Sequence, residues 1–155
     1  MDRKCGVLLP VASLPSPYGI GCFSKEAYEF VDFLSLAGQT YWQILPLGQT
    51  GYGDSPYQSF STFAGNPYFI DLQEFIDAGY ITQKDAQAAA FGKNKTQIDY
   101  EKLYFNRFDL LKKAYDNSPY ALKPKKKWAA GAFDKQRKAF EKFCREEKSW
   151  LKDYA

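Results

Sequence analysis

Residues 6–48 read GVLLPVASLPSPYGIGCFSKEAYEFVDFLSLAGQTYWQILPLG, and the pattern within them decides the fold class. The opening run, CGVLLPVASLP at 5–15, is apolar between turn formers, which predicts a buried strand. PSPYGIGCF at 15–23 follows as a loop. A helix comes next: Ser24 stands at its N-cap, Glu26 lies in the first turn where the helix dipole favours an acid, and Phe23 and Tyr28 have the spacing of a hydrophobic staple. Ala27, Phe30, Val31 and Leu34 form its apolar stripe, and Gly38 supplies the stop. TYWQILPLG at 40–48 is β-branched and aromatic and reads as a second strand. Strand, loop, helix and strand in so short a span predict a βαβ unit with parallel pairing and a right-handed crossover.

Farther along, the chain changes character. PYFIDL at 67–72 predicts a short extended segment, Asp71 and Glu74 a capping-box-like pair before a helix stopped by Gly79, and Thr82 a cap for QKDAQAAAF. Asp99 caps a longer helix with Tyr100, Tyr104, Arg107, Phe108, Leu111 and Tyr115 near one face. YDNSPYALKPKKKWAAG at 115–131 reads as a loop, and Asp134 begins a last helix carrying Phe140, Phe143, Cys144 and Leu151. The first part is thus α/β and the second all-helical. Residues 1–75 carry three Lys/Arg and seven Asp/Glu, a net of −4, against eighteen and eleven, a net of +7, in residues 76–155. Apart from KPKKK at 123–127, acids are interleaved with the lysines, as on solvated helix faces rather than a nucleic-acid surface.

Composition excludes several chemistries. With no histidine in 155 residues, Ser-His-Asp triads and HExxH zinc sites are ruled out. Cys5, Cys22 and Cys144 are odd in number and lack CxxC spacing, which predicts reduced thiols in a cytoplasmic protein. Neither a signal peptide nor an apolar run of about 20 residues is visible, so no membrane partner is expected.

The stretch GQTGYGDSPYQSFSTFAGNPYFIDL at 48–72 holds four glycines, two prolines and six aromatic rings, more aromatic surface than an ordinary loop carries. As a phosphate cradle it lacks GxGxxG and a lysine. As a metal site it offers only Asp54 and Asp71. A nucleic-acid platform would need basic residues among the rings. Carbohydrate binding fits better, because sugars present flat C–H faces to aromatic rings and hydroxyls to short polar groups. A loop that only packs its rings over the core stays open beside it.

GVLLPVASLPSPYGIG (6–21), AYEFVDFLSLAGQTYWQILPLG (27–48), TGYGDSPYQSFSTFAGNPYFIDL (50–72) and WLKDYA (150–155) closely resemble the 4-α-glucanotransferases (amylomaltases, or disproportionating enzymes). The resemblance implies the N-terminal part of a (β/α)8 barrel of the α-amylase superfamily: residues 1–77 as the first βαβ part with substrate loop 48–72, and residues 78–155 as a helical insertion subdomain, truncated at its C-terminus. It implies an α-1,4-glucan or maltooligosaccharide substrate, the remainder of its own barrel as partner, no cofactor or metal, and retaining transfer through an aspartate nucleophile and a glutamate acid/base. Such a barrel takes about 200 residues or more, so the catalytic carboxylates are expected outside this chain and no residue here is assigned a catalytic role. Tyr57 is similar to the tyrosine that stacks on sugar at the cleavage point, with Asp54 and Ser55 beside it; Tyr52 and Tyr100 resemble an accessory glucan site. Gln49 departs from the family pattern, where proline is common, and GIGCFS is a variant turn. A non-catalytic α-glucan-binding module is the alternative, and a basic nucleic-acid-binding protein built on residues 93–152 a weaker one.

Overall fold

The computed structural model describes residues 3–92, 96–129, 131 and 133–154. Strand β1 (Gly6–Leu8) pairs in parallel with β2 (Tyr41–Gln43), in the register Gly6↔Tyr41, Val7↔Trp42 and Leu8↔Gln43. Leu9 N donates to Gln43 O at 3.0 Å and Thr40 N to Cys5 O at 2.9 Å, which lengthens the ladder at both ends. Helix α1 (Lys25–Leu36) makes the crossover between the strands, so the βαβ unit expected from residues 6–48 is present.

The first strand is shorter than its apolar run. Pro10 has no N–H to continue a ladder, and Val11–Ser13 turn into a 3₁₀ helix that buries Val11. At the start of α1, Ser24 caps by position only: its hydroxyl donates to Glu26 Oε2 at 2.5 Å instead of accepting from a backbone N–H. The Phe23–Tyr28 staple does not form either. Phe23 lies edge-on to Phe69 at 6.2 Å, and Tyr28 is exposed. Of the expected stripe, Ala27 and Leu34 are buried, while Val31 faces solvent with Phe33 and Leu36.

Pro67–Phe69 form a second 3₁₀ turn, not an extended segment, because Asn66 caps it: Tyr68 N donates to Asn66 Oδ1 at 2.9 Å. Helix α2 (Leu72–Asp77) is capped by Asp71, whose carboxylate accepts from Gln73 N. Helix α3 (Gln83–Ala88) has a full capping box between Thr82 and Asp85. Gly38 and Gly79 end α1 and α2 at φ +70° and +73°, the left-handed conformation of a helix stop.

Asp99 caps α4 (Tyr100–Lys102) through Lys102 N; a π-helical turn (Leu103–Arg107) then leads into α5 (Phe108–Asn117). The wider turn re-phases the helix. Leu103, Arg107, Leu110 and Ala114 become its buried side, and Tyr104 and Tyr115, expected on that face, are exposed. Helices α6 (Asp134–Glu146) and α7 (Lys148–Tyr154) replace the single last helix, with a break at Glu147.

The main core joins Tyr18, Ile20, Tyr68 and Leu72 to Tyr80, Phe91, Leu103 and Leu110, so one core spans both sides of position 77. Leu72 and Leu103 are fully buried, each such side chain contributing about 1.5–3 kcal/mol. A smaller cluster of Val11, Leu14 and Ala27 packs on Phe30 and Trp42. Trp42 is a core residue here, its indole N–H donating to Leu9 O at 2.8 Å.

Candidate functional site

The aromatic loop is closed at its base. Gly48 and Gly65 form an antiparallel bridge, and Asn66 N donates to Leu47 O at 2.8 Å. Position 48 admits no side chain, since a Cβ there would lie 2.1 Å from Ser59 Oγ. Two turns follow in succession. Asp54 N donates to Gly51 O at 3.1 Å, with Gly53 at φ +94° and Asp54 itself at φ +55°. Gln58 N then donates to Ser55 O at 3.1 Å, with Pro56 presetting the bend ahead of Tyr57. Farther along, Ser61 Oγ accepts from the amides of Phe63 (3.2 Å) and Ala64 (3.1 Å). Backbone bonds hold Asp54 and Ser55 at their turns, and Ser59 and Ser61 add side-chain bonds beyond them.

These bonds divide the six rings. Tyr68 is buried in the main core, and Phe69 packs on Phe23 and both core clusters. Phe60 and Phe63 stack on Tyr154 (6.1 Å) and Trp150 (5.7 Å) of α7. Tyr52 and Tyr57 project into solvent, at 104% and 74% relative exposure.

Between the loop and the helix that starts at Tyr100 lies a cleft of about 730 Å³, lined by Gln49, Tyr52, Asp54, Phe60, Tyr100 and Tyr104 among others. It brings the proposed accessory pair, Tyr52 and Tyr100, to one hollow together with Asp54. Ser55 and Tyr57 lie outside that lining. A smaller cavity of about 180 Å³ shares Asp54 and Tyr100 and adds Pro56. Tyr100 also edges a groove of about 590 Å³ formed by the 12–21 loop and residues 96–98.

Burial raises the Asp54 carboxyl pKa, and the neighbouring Thr50 hydroxyl pulls it back; Thr50 Oγ1 sits close by without full hydrogen-bond geometry. Burial, then the Asp54 charge, raises the Tyr100 phenol. Tyr68 is raised by burial first and next by Asp54. Tyr100 therefore stays a protonated O–H donor beside a carboxylate acceptor. Flat apolar faces, phenols and one acceptor suit a ligand with many hydroxyls.

Tyr104 and Phe60 were not among the residues singled out. Tyr104 had a signal, standing one helical turn after Tyr100; Phe60 had none beyond its place in the loop. The lysine run has a structural part: Lys125 pairs with Asp116 at 2.6 Å, and Lys126 donates to Gly79 O at 3.0 Å and lies 4.6 Å from the Trp128 ring centre. No described helix is long and apolar enough to cross a membrane.

A parallel βαβ unit bearing an aromatic, hydroxyl-lined cleft defines an α/β segment suited to polyhydroxylated ligands. Residues 9–155 match the 4-alpha-glucanotransferase family, and the chain belongs to it. It is 48% identical over 145 residues to the 4-alpha-glucanotransferase of Clostridium butyricum, covering 94% of this chain and 27% of that one. With the Thermus thermophilus 4-alpha-glucanotransferase it shares 44% over 155 residues, 100% of this chain and 28% of the relative. An amylomaltase from Streptococcus agalactiae in complex with acarbose superposes with a TM-score of 0.82 at 40% identity, covering 99% of this chain and 28% of that one. The chain thus spans a little over a quarter of the length of these relatives.

Proposed function

We propose that this chain is the glucan-gripping part of a 4-α-glucanotransferase, which moves a segment of an α-1,4-glucan to the 4-OH of an acceptor glucose or glucan. The carrying observation is the cleft that unites Tyr52, Asp54 and Tyr100, supported by the likeness to an amylomaltase determined with acarbose. In this reading residues 1–77 begin a (β/α)8 barrel with loop 48–72 at its catalytic mouth, and residues 78–155 are a helical insertion packed on it. The parallel β1–β2 pair supports that assignment. So do Leu8, Val31, Phe33 and Leu36, apolar groups left in solvent that further barrel elements would cover.

Tyr57, Ser55 and Asp54 serve the sugar at the cleavage point, and Tyr52 with Tyr100 hold the strand farther away. The retaining double displacement uses an aspartate nucleophile and a glutamate acid/base supplied by the remainder of the barrel, so these 155 residues do not turn over substrate alone. The protein works in the cytoplasm on maltodextrin or glycogen chains, without a cofactor. Incubation with maltotriose tests this. The complete protein should release glucose and build longer dextrins, and the 155-residue chain should give neither above a boiled control. Turnover by the short chain, or none by the complete protein, refutes the reading.

A further inference from the structure

Helix α7 meets the aromatic loop at three positions, Gln49, Phe60 and Phe63. Trp150 and Tyr154 are a turn apart on α7, and their rings meet edge-to-face at 6.1 Å. Each then stacks on a loop ring: Trp150 on Phe63 at 5.7 Å and 17°, Tyr154 on Phe60 at 6.1 Å and 20°. At the loop's base the Tyr154 hydroxyl donates to Gln49 Oε1 at 2.5 Å. The Trp150 indole is itself held, its N–H donating to Glu147 Oε2 at 2.5 Å where α6 gives way to α7. Gln49 and Phe60, both held by Tyr154, line the 730 Å³ cleft. A proline at position 49 would offer no side-chain acceptor for this bond.

We propose that α7 is a clasp that sets the opening of this cleft, with Tyr154, Trp150 and Gln49 as positioning residues that determine how firmly a long glucan strand is held. This rests on the reading of the cleft as a glucan site. The loop's own bonds lie at its base, in its two backbone turns and at Ser59 and Ser61, and α7 adds side-chain contacts to it at Gln49, Phe60 and Phe63. Order held in advance lowers the cost of binding. The clasp therefore acts on long chains that fill the cleft and leaves the chemistry of short ones alone.

The test uses the complete protein. Tyr154→Phe deletes the hydroxyl and keeps the ring; Trp150→Ala removes one stack. Amide hydrogen exchange across residues 49–63 should quicken about two- to tenfold in Tyr154→Phe, the range of one neutral hydrogen bond, and further in Trp150→Ala, with α2 and α3 unchanged. Dissociation of a long linear maltodextrin should quicken by a similar factor while kcat on maltotriose holds. Combining Tyr154→Phe with Gln49→Ala should add nothing beyond the larger single effect, since both break one bond. Unchanged exchange in both single variants overturns the clasp. Faster exchange with undiminished maltodextrin affinity overturns its role in binding. If the wild-type protein binds no maltodextrin yet exchange still quickens in the variants, the clasp is supported and the glucan reading is the part that falls.

Discussion

Tyr57 is presented by its backbone, not by packing. The turn closed by Ser55 O and Gln58 N, with Pro56 inside it, holds a ring that is 74% exposed. Removing such a ring costs little stability, so its effect should appear in catalysis. On the proposed function, Tyr57→Ala in the complete protein should lower kcat/KM for maltotriose by roughly ten- to a thousandfold at an unchanged unfolding midpoint, about 1.4–4 kcal/mol of transition-state binding. Loss of stability with little loss of rate would mean the ring only packs the loop. Asp85 gives a second single-residue expectation. The Lys113 ammonium, then the Thr82 amide, hold its carboxyl down at about 2. A depressed acid contributes stability above its unfolded value of about 3.9, and that contribution is lost as pH falls through its folded value. The pair is solvent-exposed in part, Lys113 at 52% and Asp85 at 24%, so the effect is about 1 kcal/mol or less. Asp85→Asn should flatten the urea midpoint between pH 4 and pH 2, and an identical slope in both proteins would refute the assignment.

At the scale of elements, Arg107 ends the π-helical turn on its buried side. Its guanidinium is completely buried, donating to Tyr18 O at 3.2 Å and Ile70 O at 2.7 Å and lying 5.7 Å from the Phe91 ring centre. The helix thereby ties the β1–α1 loop to the end of the aromatic loop. Burial pulls the guanidinium pKa down, and Nε has no hydrogen-bond partner, so the residue is costly to keep there. Arg107→Met relieves that cost but removes the donor to the buried Tyr18 carbonyl and to the part-buried Ile70 carbonyl, at about 1–3 kcal/mol for the buried one. A net loss of about 2 kcal/mol in urea unfolding is expected. A Met variant as stable as wild type would show that desolvation cancels the bonds. Local rules made the caps at Asp71, Thr82 and Asp99 and the stops at Gly38 and Gly79 legible in the sequence, because a cap depends on a few neighbouring atoms. The buried side of Tyr100–Asn117 was not legible: it includes Arg107, whose carbonyl partners lie 89 and 37 residues away. The staple failed for a similar reason, with Phe23 taken by Phe69 from another part of the chain.

For the molecule as a whole, the parallel βαβ unit was readable from the periodicity of residues 6–48, and the odd composition of 48–72 singled out a loop that lines a cleft. What composition could not do was apportion the rings. Tyr68 and Phe69 serve the core, Phe60 and Phe63 lay one face on α7 while staying exposed, and Tyr52 and Tyr57 stand in solvent without a ring partner among the described residues. That division depends on contacts between segments far apart in sequence, as does the pairing of Tyr52 with Tyr100 across one cleft. On the proposed function, this cleft grips an α-glucan strand. Calorimetric titration of the complete protein with a long linear maltodextrin tests it most directly, comparing wild type with Tyr52→Ala and Tyr100→Ala. One stacked ring is worth about 0.5–1.5 kcal/mol beyond its area, so each variant should bind about two- to tenfold more weakly, with the Tyr52→Ala unfolding midpoint unmoved. Affinities identical to wild type in both variants would contradict the claim.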